Sequence, residues 1–532
     1  MLLEPPARPL ADRPYRPLAT WLACLLLLVT TMACRSKTGQ TTVPQPPMPT
    51  AGESAQPAGP EPEPAGPRLL LRGAQVMTAA GVVYPRGDVL VEGDRIAAVG
   101  AELPVPPDAT VVDLRGKVVT PGIIDTHSHI GVYAAPGLSA HADGNEATAP
   151  VTAQVWAADS VWPQDPQLER ARAGGITTMQ ILPGSANLIG GRSVVIRPYP
   201  GLRSIEDARF AGAPDGLKMA CGENPKRVYG AKGGPSTRMG NVAGYRKAFQ
   251  QAVEYRRGWQ RYRDKKARFE AKQHARRRGD EPVEDDDEAG NDKGNDEPPD
   301  PPARDDAMEA LVGVLDGETL VHMHCYRADE MSLMMDLARS FGFRIRSFHH
   351  AVEAYKIADR LAERDVAASI WADWWGFKAE AYDGIRENAA LLWAAGGRSI
   401  IHSDSALGIQ RLNQEAAKAL SAGRRMGLSI SDDDALRWIT ANPAWALGIH
   451  GEVGTLEEGK LADIVVWSGD PFSVYSRAER VYMQGELVHD IDWEARAPRT
   501  DFEVGLRDED LRREDPPSVF PPAAAGTTEE SP

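Results

Sequence analysis

Two histidines spaced by two, His127 and His129, close the apolar run that begins at Val118. Side chains on a strand alternate between faces, so both imidazoles point to one side. Two neutral imidazoles on one face can clamp a divalent ion, with Asp125 on the same face supporting them from beneath. Four more apolar runs end in groups of the same kind. Leu217 to Glu223 offers Lys218 or Glu223; Thr319 to His324 offers His322 and His324; Arg346 to His350 offers His349 and His350; Ser399 to Asp404 offers His402 and Asp404. Any one of these is unremarkable, since a histidine on an apolar segment is usually a satisfied core residue. Of the 11 histidines in the chain, however, His127, His129, His322, His324, His349, His350 and His402 all fall on these run ends. Together they point to a metal site of nitrogen and carboxylate donors, suited to zinc, with manganese, iron or nickel as alternatives.

Something must bring these runs together. Between Gly122 and His450 short apolar runs alternate with longer helical stretches, the pattern of βα units around a parallel sheet. Gly174 to Leu182 is one such strand, and the glycine-rich Pro183 to Gly191 after it lacks the Lys-Ser/Thr of a phosphate loop, so it reads as a βα turn or a backbone wall of a pocket. Short strands bounded by glycine turns precede this region (Leu69 to Val76, Val82 to Val91, Arg95 to Val99) and follow it (Ala462 to Trp467, Arg480 to Val488). From about 250 to 306 a helix rich in Arg and Lys runs into Glu284 to Glu288 and then Pro-rich sequence, read as a charged insertion without a chemical role.

Pro121-Gly-Ile-Ile-Asp-Thr-His-Ser-His129 resembles the first-strand motif of the amidohydrolase superfamily, and Gly454 to Asp463 is similar to its lead-in to the closing strands. The resemblance covers about Arg68 to Val488, and the order His-x-His, Lys or Glu, His, His, Asp matches throughout. It implies an α/β fold, a (β/α)8 TIM-like barrel over 121–450 beside a small β-sandwich made by both chain ends, 68–120 and 451–490. By position it implies His127, His129 and Asp404 on one metal, with His324 and His350 on a second. His349 and His350 are adjacent and so face opposite sides of a strand; one residue of slip exchanges them. His322 would share the face of His324 one layer deeper. Lys218 resembles the lysine that some members carboxylate to bridge two metals, and Glu223 the glutamate of mononuclear members; Lys218 is preferred and both are retained. The chemistry implied is hydrolysis of an amide, lactam or dipeptide-like carbon-nitrogen bond by water ionised on the metal, with Asp404 as general base. Imidazolonepropionase and the metal-dependent dipeptidases are among the relatives that it resembles. A deaminase of the same fold is the alternative, disfavoured because Cys-Tyr-Arg follows His324. A degenerate binding protein is the third. Arg327, three residues after His324, is a candidate for a substrate carboxylate; Tyr229, His141 and Trp375 are candidates for the pocket lining, and Trp371, Trp374 and Trp375 for a narrowed mouth.

A net charge of -15 argues against nucleic acid as a partner; the resemblance implies a small-molecule amide or dipeptide-like substrate. Arg8, Arg13 and Arg16 precede an apolar run from Trp21 to Val29 that ends in Thr-Met-Ala-Cys34. Residues 1–34 are read as a secretory signal resembling that of bacterial lipoproteins, with Cys34 as a lipid anchor and a periplasmic or outer-membrane location in a bacterium. Residues 35–67 read as a Pro/Gly-rich tether and 507–532 as a disordered acidic tail. Cys221 and Cys325, on apolar runs, are expected to be buried free thiols.

Overall fold

A computed structural model of the chain describes residues 66–279 and 297–494. The segment carrying Cys34, the Pro/Gly-rich stretch as far as residue 65, Glu284 to Glu288 and the acidic tail lie outside the described residues. Five strands open the described chain: β1 (Arg68–Met77), β2 (Val83–Glu92), β3 (Arg95–Gly100), β4 (Thr110–Asp113) and β5 (Val118–Pro121). Eight form the central sheet: β6 (Ile123–Ser128), β7 (Ile176–Ile181), β8 (Ile189–Ile196), β9 (Gly216–Ala220), β10 (Leu320–Cys325), β11 (Ile345–His350), β12 (Ala367–Ile370) and β13 (Ser399–Ile401). Three more close the chain: β14 (Ile464–Trp467), β15 (Ala478–Met483) and β16 (Glu486–Asp490).

Both chain ends, expected to build a small β-sandwich together, share one branched sheet in the order β16-β15-β14-β5-β1-β2-β3, with β4 beside β1. The link between the ends is β14 running antiparallel to β5, Ile464 opposite Pro121. Leu71, Val76, Val89, Ile96, Val119, Ile464 and Tyr482 fill its apolar cluster.

The central sheet runs β13-β12-β11-β10-β9-β8-β7-β6 and forms a nearly closed TIM-like barrel. Seven strands are mutually parallel. β8 is antiparallel to β7 and β9, so the barrel departs from eight uniform βα units. No ladder joins β6 to β13, but the Asp404 N–H donates to the His127 carbonyl at 3.0 Å across that seam. Every residue of β6, β7 and β9 is buried, as expected for strands covered on both faces. Alternation decides what each face carries. On β10, Val321, Met323 and Cys325 join the apolar cluster under the helices, which leaves His322 and His324 for the barrel interior. Leu217 and Met219 on β9, with Cys221 just after it, do the same and leave Lys218 inside.

That alternation also corrects the expectation of free thiols. β9 and β10 are paired with Met219 opposite Met323 and Ala220 opposite His324, so the next outward pair is Cys221 and Cys325. They form a disulfide with Cα atoms 5.2 Å apart, across a sequence separation of 104.

Gly122 is the one-residue joint between the two sheets. A Cβ there would lie 2.1 Å from Thr177 Oγ1, so only glycine lets β5 pass into β6 at this point. The helix Arg238–Arg278 buries Asn241, Tyr245, Ala248, Phe249 and Ala252, all in its first half, and no residue beyond Ala252. Among the described residues, no helix is long and apolar enough to cross a membrane.

Candidate metal centre

The interior side chains of β6, β9, β10, β11 and the turn after β13 converge at one end of the barrel. His127 Nε2 lies 3.3 Å from His129 Nε2 and 3.4 Å from Asp404 Oδ1, and His129 Nε2 lies 3.3 Å from the same oxygen. Donors held 2.0–2.1 Å from a tetrahedral ion stand about 3.3–3.4 Å apart. The triangle therefore already has the edge lengths of a metal site, and the donors fit a divalent cation. Lys218 Nζ sits 3.3 Å from His127 Nε2 and is 1 % exposed.

Glu223 is placed differently. It opens the helix Glu223–Tyr229, its backbone N–H donates to Glu380, and its carboxylate lies 3.8 Å from Lys378 Nζ. Of the two retained alternatives, the structure brings Lys218 into the cluster and leaves Glu223 at the rim.

His324 and His350 form the other side of the cluster, their ring centroids 4.6 Å apart. His350 Nδ1 lies 3.8 Å from Asp404 Oδ2. The Nδ1 atoms of His324, His350 and His402 are buried without a hydrogen-bond partner, the condition of donors awaiting a ligand. Burial, followed by neighbouring positive charge, holds His127, His324 and His350 well below the usual histidine range, and it pushes His402 down to about 3. These imidazoles are neutral at pH 7, with lone pairs available for coordination.

The expectation that only one of His349 and His350 faces inward is corrected. His350 has φ 70° and Asp404 φ 49°, both in the left-handed region that L-residues with side chains seldom adopt. The reversal at His350 breaks the strand's alternation. His349 and His350 consequently both pack on His127, each with ring centroids 4.8 Å away. His349 Nδ1 meets His127 Nδ1 at 2.8 Å, and its Nε2 meets His322 Nδ1 at 2.9 Å. With His127 Nε2 turned to the donor triangle, its Nδ1 carries the proton and donates to His349, whose Nε2–H donates to His322. A row of three buried imidazoles thus fixes the tautomer of His127.

Asp125 does not reach an imidazole. It accepts the backbone N–H groups of His127 at 3.1 Å and Ser403 at 3.2 Å, and the Ser403 hydroxyl, which ties β6 to the end of β13. Burial pushes its carboxyl up to about 7.

The other candidates scatter. Arg327 is paired with Asp329 at 2.9 Å on a half-exposed rim, which leaves it engaged rather than free for a carboxylate. His141 bonds the Pro136 carbonyl at 2.9 Å and packs on Trp162. Tyr229 is buried with its hydroxyl unpartnered. Trp371 stacks on His350 at 4.2 Å and on Trp374 at 4.9 Å, forming a wall of the site, while Trp375 is exposed. Sequence reasoning misses Asn224, whose amide is 3.3 Å from His324 Nε2, and the rim network in which Arg238 binds Glu330 at 3.1 Å and Glu380, with Lys378 3.4 Å from Glu380. These come from loops and helix starts, where no periodicity marks an inward residue.

Residues 349–489 match the model of an amidohydrolase family. The chain is 36% identical in sequence to an amidohydrolase of Thermotoga maritima MSB8 of known crystal structure, covering 79% of this chain and 100% of that one with a TM-score of 0.65. It is 35% identical over 421 residues to the amidohydrolase tasK of Hapsidospora irregularis, 76% of this chain and 40% of that protein. A 5'-deoxyadenosine deaminase of Methanothermobacter thermautotrophicus is 35% identical over 101 residues, 19% of this chain and 21% of that one. The chain thus spans less than half the length of these curated relatives.

Proposed function

The chain belongs to the amidohydrolase family, metal-dependent hydrolases of carbon-nitrogen bonds, and we propose that it hydrolyses a small amide, lactam or dipeptide-like substrate at the site between His127 and Asp404. The observation that carries this reading is the donor triangle of His127, His129 and Asp404, with Lys218 beside it and unpartnered nitrogens on His324 and His350. His127, His129 and Asp404 would hold one zinc ion and His324 and His350 a second. Lys218, carboxylated, would stand between the two. Burial pushes the Lys218 amine down to about 7, so near neutrality its lone pair is free to add carbon dioxide, with loss of one proton.

When bound, the metal would polarise the scissile carbonyl and lower the pKa of water. Asp404 supplies the proton transfers: one oxygen faces the two histidines, and the other, 3.8 Å from His350 Nδ1, is placed to take a proton from water and return it to the leaving nitrogen. The Asp404 and His129 side chains are each 21% exposed, enough to meet substrate, while His127 behind them is buried. Trp371, stacked on His350, screens that side.

The disulfide between Cys221 and Cys325 supports the expectation of an exported protein, since such bonds persist in oxidising compartments. The deaminase alternative is kept because relatives matched over part of the chain carry that name. Assays of N-acyl amino acids, dipeptides and cyclic amides, with ammonia followed in parallel, test both. Amine or carboxylate release that is lost with chelator and in Asp404→Asn supports the proposal; ammonia as the sole product overturns it in favour of deamination.

A further inference from the structure

A cavity of about 290 Å³ opens beside the donor cluster, between the ends of β11 and β12 and the loop 371–388. It shares His350 and Trp371 with the metal centre, so a ligand filling it lies against a proposed ligand of the ion. Its walls are aromatic and aliphatic: Trp371, Trp374, Trp375 and Ile385. The loop that forms it exposes Trp374, Trp375, Phe377 and Tyr382, at 40%, 59%, 57% and 66%. Large aromatics gathered in the open on one short loop mark a binding surface rather than a misplaced core. The loop is held in shape by the Trp375 indole N–H donating to the Tyr382 carbonyl and by the Gly376 N–H donating to the Ala381 carbonyl.

The charge at the rim selects the ligand further. Asp373 lines the cavity but is neutralised by Lys418 at 2.8 Å. Arg386 lines it too, is exposed, and makes no ion pair or hydrogen bond with any of the described residues. A cation stacked on the tryptophans would face this unpaired guanidinium, whereas a carboxylate would find a two-pronged donor. The volume lies at the small end for ligand pockets, room for one ring system rather than a peptide.

We infer that the cavity under the 371–388 loop is the subsite for a planar aromatic group bearing a carboxylate, with the ring among Trp371, Trp374 and Trp375 and the carboxylate on Arg386. The inference rests on the proposed hydrolase function and names its substrate class: amides whose amine half is an aromatic amino acid or a similar aromatic acid. Neither Arg327, engaged by Asp329, nor Lys378, engaged by Glu380 and Glu223, competes for this role.

Calorimetric titration of the full chain with 3-phenylpropionate, 3-phenylpropanamide and propionate tests it without requiring turnover. The phenyl carboxylate is expected to bind about tenfold more tightly than either the amide, which lacks the charge, or propionate, which lacks the ring. In Arg386→Gln the carboxylate and the amide should bind alike, and in Trp374→Ala both phenyl ligands should weaken while propionate does not. A carboxylate preference that survives Arg386→Gln, which would place the carboxylate on the metal, overturns the assignment; so does equal binding of phenyl and non-phenyl ligands. Failure of the hydrolase reading is distinguishable. In that case no amide is turned over although these binding differences stand, whereas turnover of N-acetylalanine and N-acetylphenylalanine at equal kcat/KM, without the binding differences, sinks the subsite alone.

Discussion

Replacing Lys218 by methionine should have opposite effects on the metal-free and metal-loaded protein. Burial lowers the folded-state pKa of this amine from 10.5 to about 7. A group depressed in this way destabilises the fold increasingly as pH falls from the unfolded value to the folded one, and by a constant amount below it. At 1.36 kcal/mol per pH unit, burying this amine costs the metal-free fold ~4 kcal/mol at pH 7 and ~2 kcal/mol at pH 9, where the cost is that of releasing its proton. Methionine has nearly the same length and no charge, and it gives up the contact to His127 Nε2, worth ~1 kcal/mol. Lys218→Met treated with chelator should therefore be more stable than wild type by ~3 kcal/mol at pH 7 and by ~1 kcal/mol at pH 9. Urea unfolding midpoints at the two pH values measure this directly. With metal present the order should reverse, because ions that bind only the folded wild type stabilise it by ~4 kcal/mol at a thousandfold excess over Kd, and the variant forfeits much of that. A metal-free variant that is less stable than wild type at pH 7, or an advantage that does not shrink at pH 9, would refute the placement of Lys218 as a buried amine of depressed pKa.

Three other perturbations follow from the same geometry. Asp404→Asn keeps the shape but removes the acceptor for the water proton, and should lower kcat by at least ~10²-fold with bound metal reduced, read by steady-state assay and elemental analysis. His349→Phe preserves the packing against His127 but removes the acceptor that fixes its tautomer; metal affinity should fall ~10–100-fold in a chelator competition, while a merely structural role would lower the unfolding temperature and leave affinity alone. Cys221→Ser with Cys325→Ser opens a loop of about a hundred residues and should cost about 3–5 kcal/mol in unfolding free energy on the chain-entropy account, with no effect from reductant on the double variant.

Strand periodicity makes much of the metal centre legible in the amino-acid sequence. His127 and His129 share a face because side chains alternate, and the same rule puts Lys218, His322 and His324 inside the barrel. The rule fails at His350, where a left-handed backbone turn lets two consecutive histidines point the same way. A single sequence carries no marker for that reversal, because the residue is not glycine. The disulfide escapes sequence reasoning for a related reason: Cys221 and Cys325 look like ordinary outward apolar positions until the pairing register of β9 and β10 sets them side by side. The antiparallel β8 is hidden because its first residues, Ile189-Gly-Gly-Arg-Ser193, continue the glycine-rich stretch read as a βα turn, and direction leaves no mark in composition. Arg327 stands out by its short distance in sequence from His324, but its nearest carboxylate is its own neighbour Asp329.

Whether the cluster around Lys218 holds two metal ions is tested most directly by elemental analysis of the purified full chain, in parallel with Lys218→Ala and Glu223→Ala. About two equivalents of divalent metal per chain are expected, falling to one or none in Lys218→Ala and unchanged in Glu223→Ala. One equivalent that persists in Lys218→Ala and disappears in Glu223→Ala would contradict the two-ion centre and move the site to the rim, where Glu223 now faces Lys378.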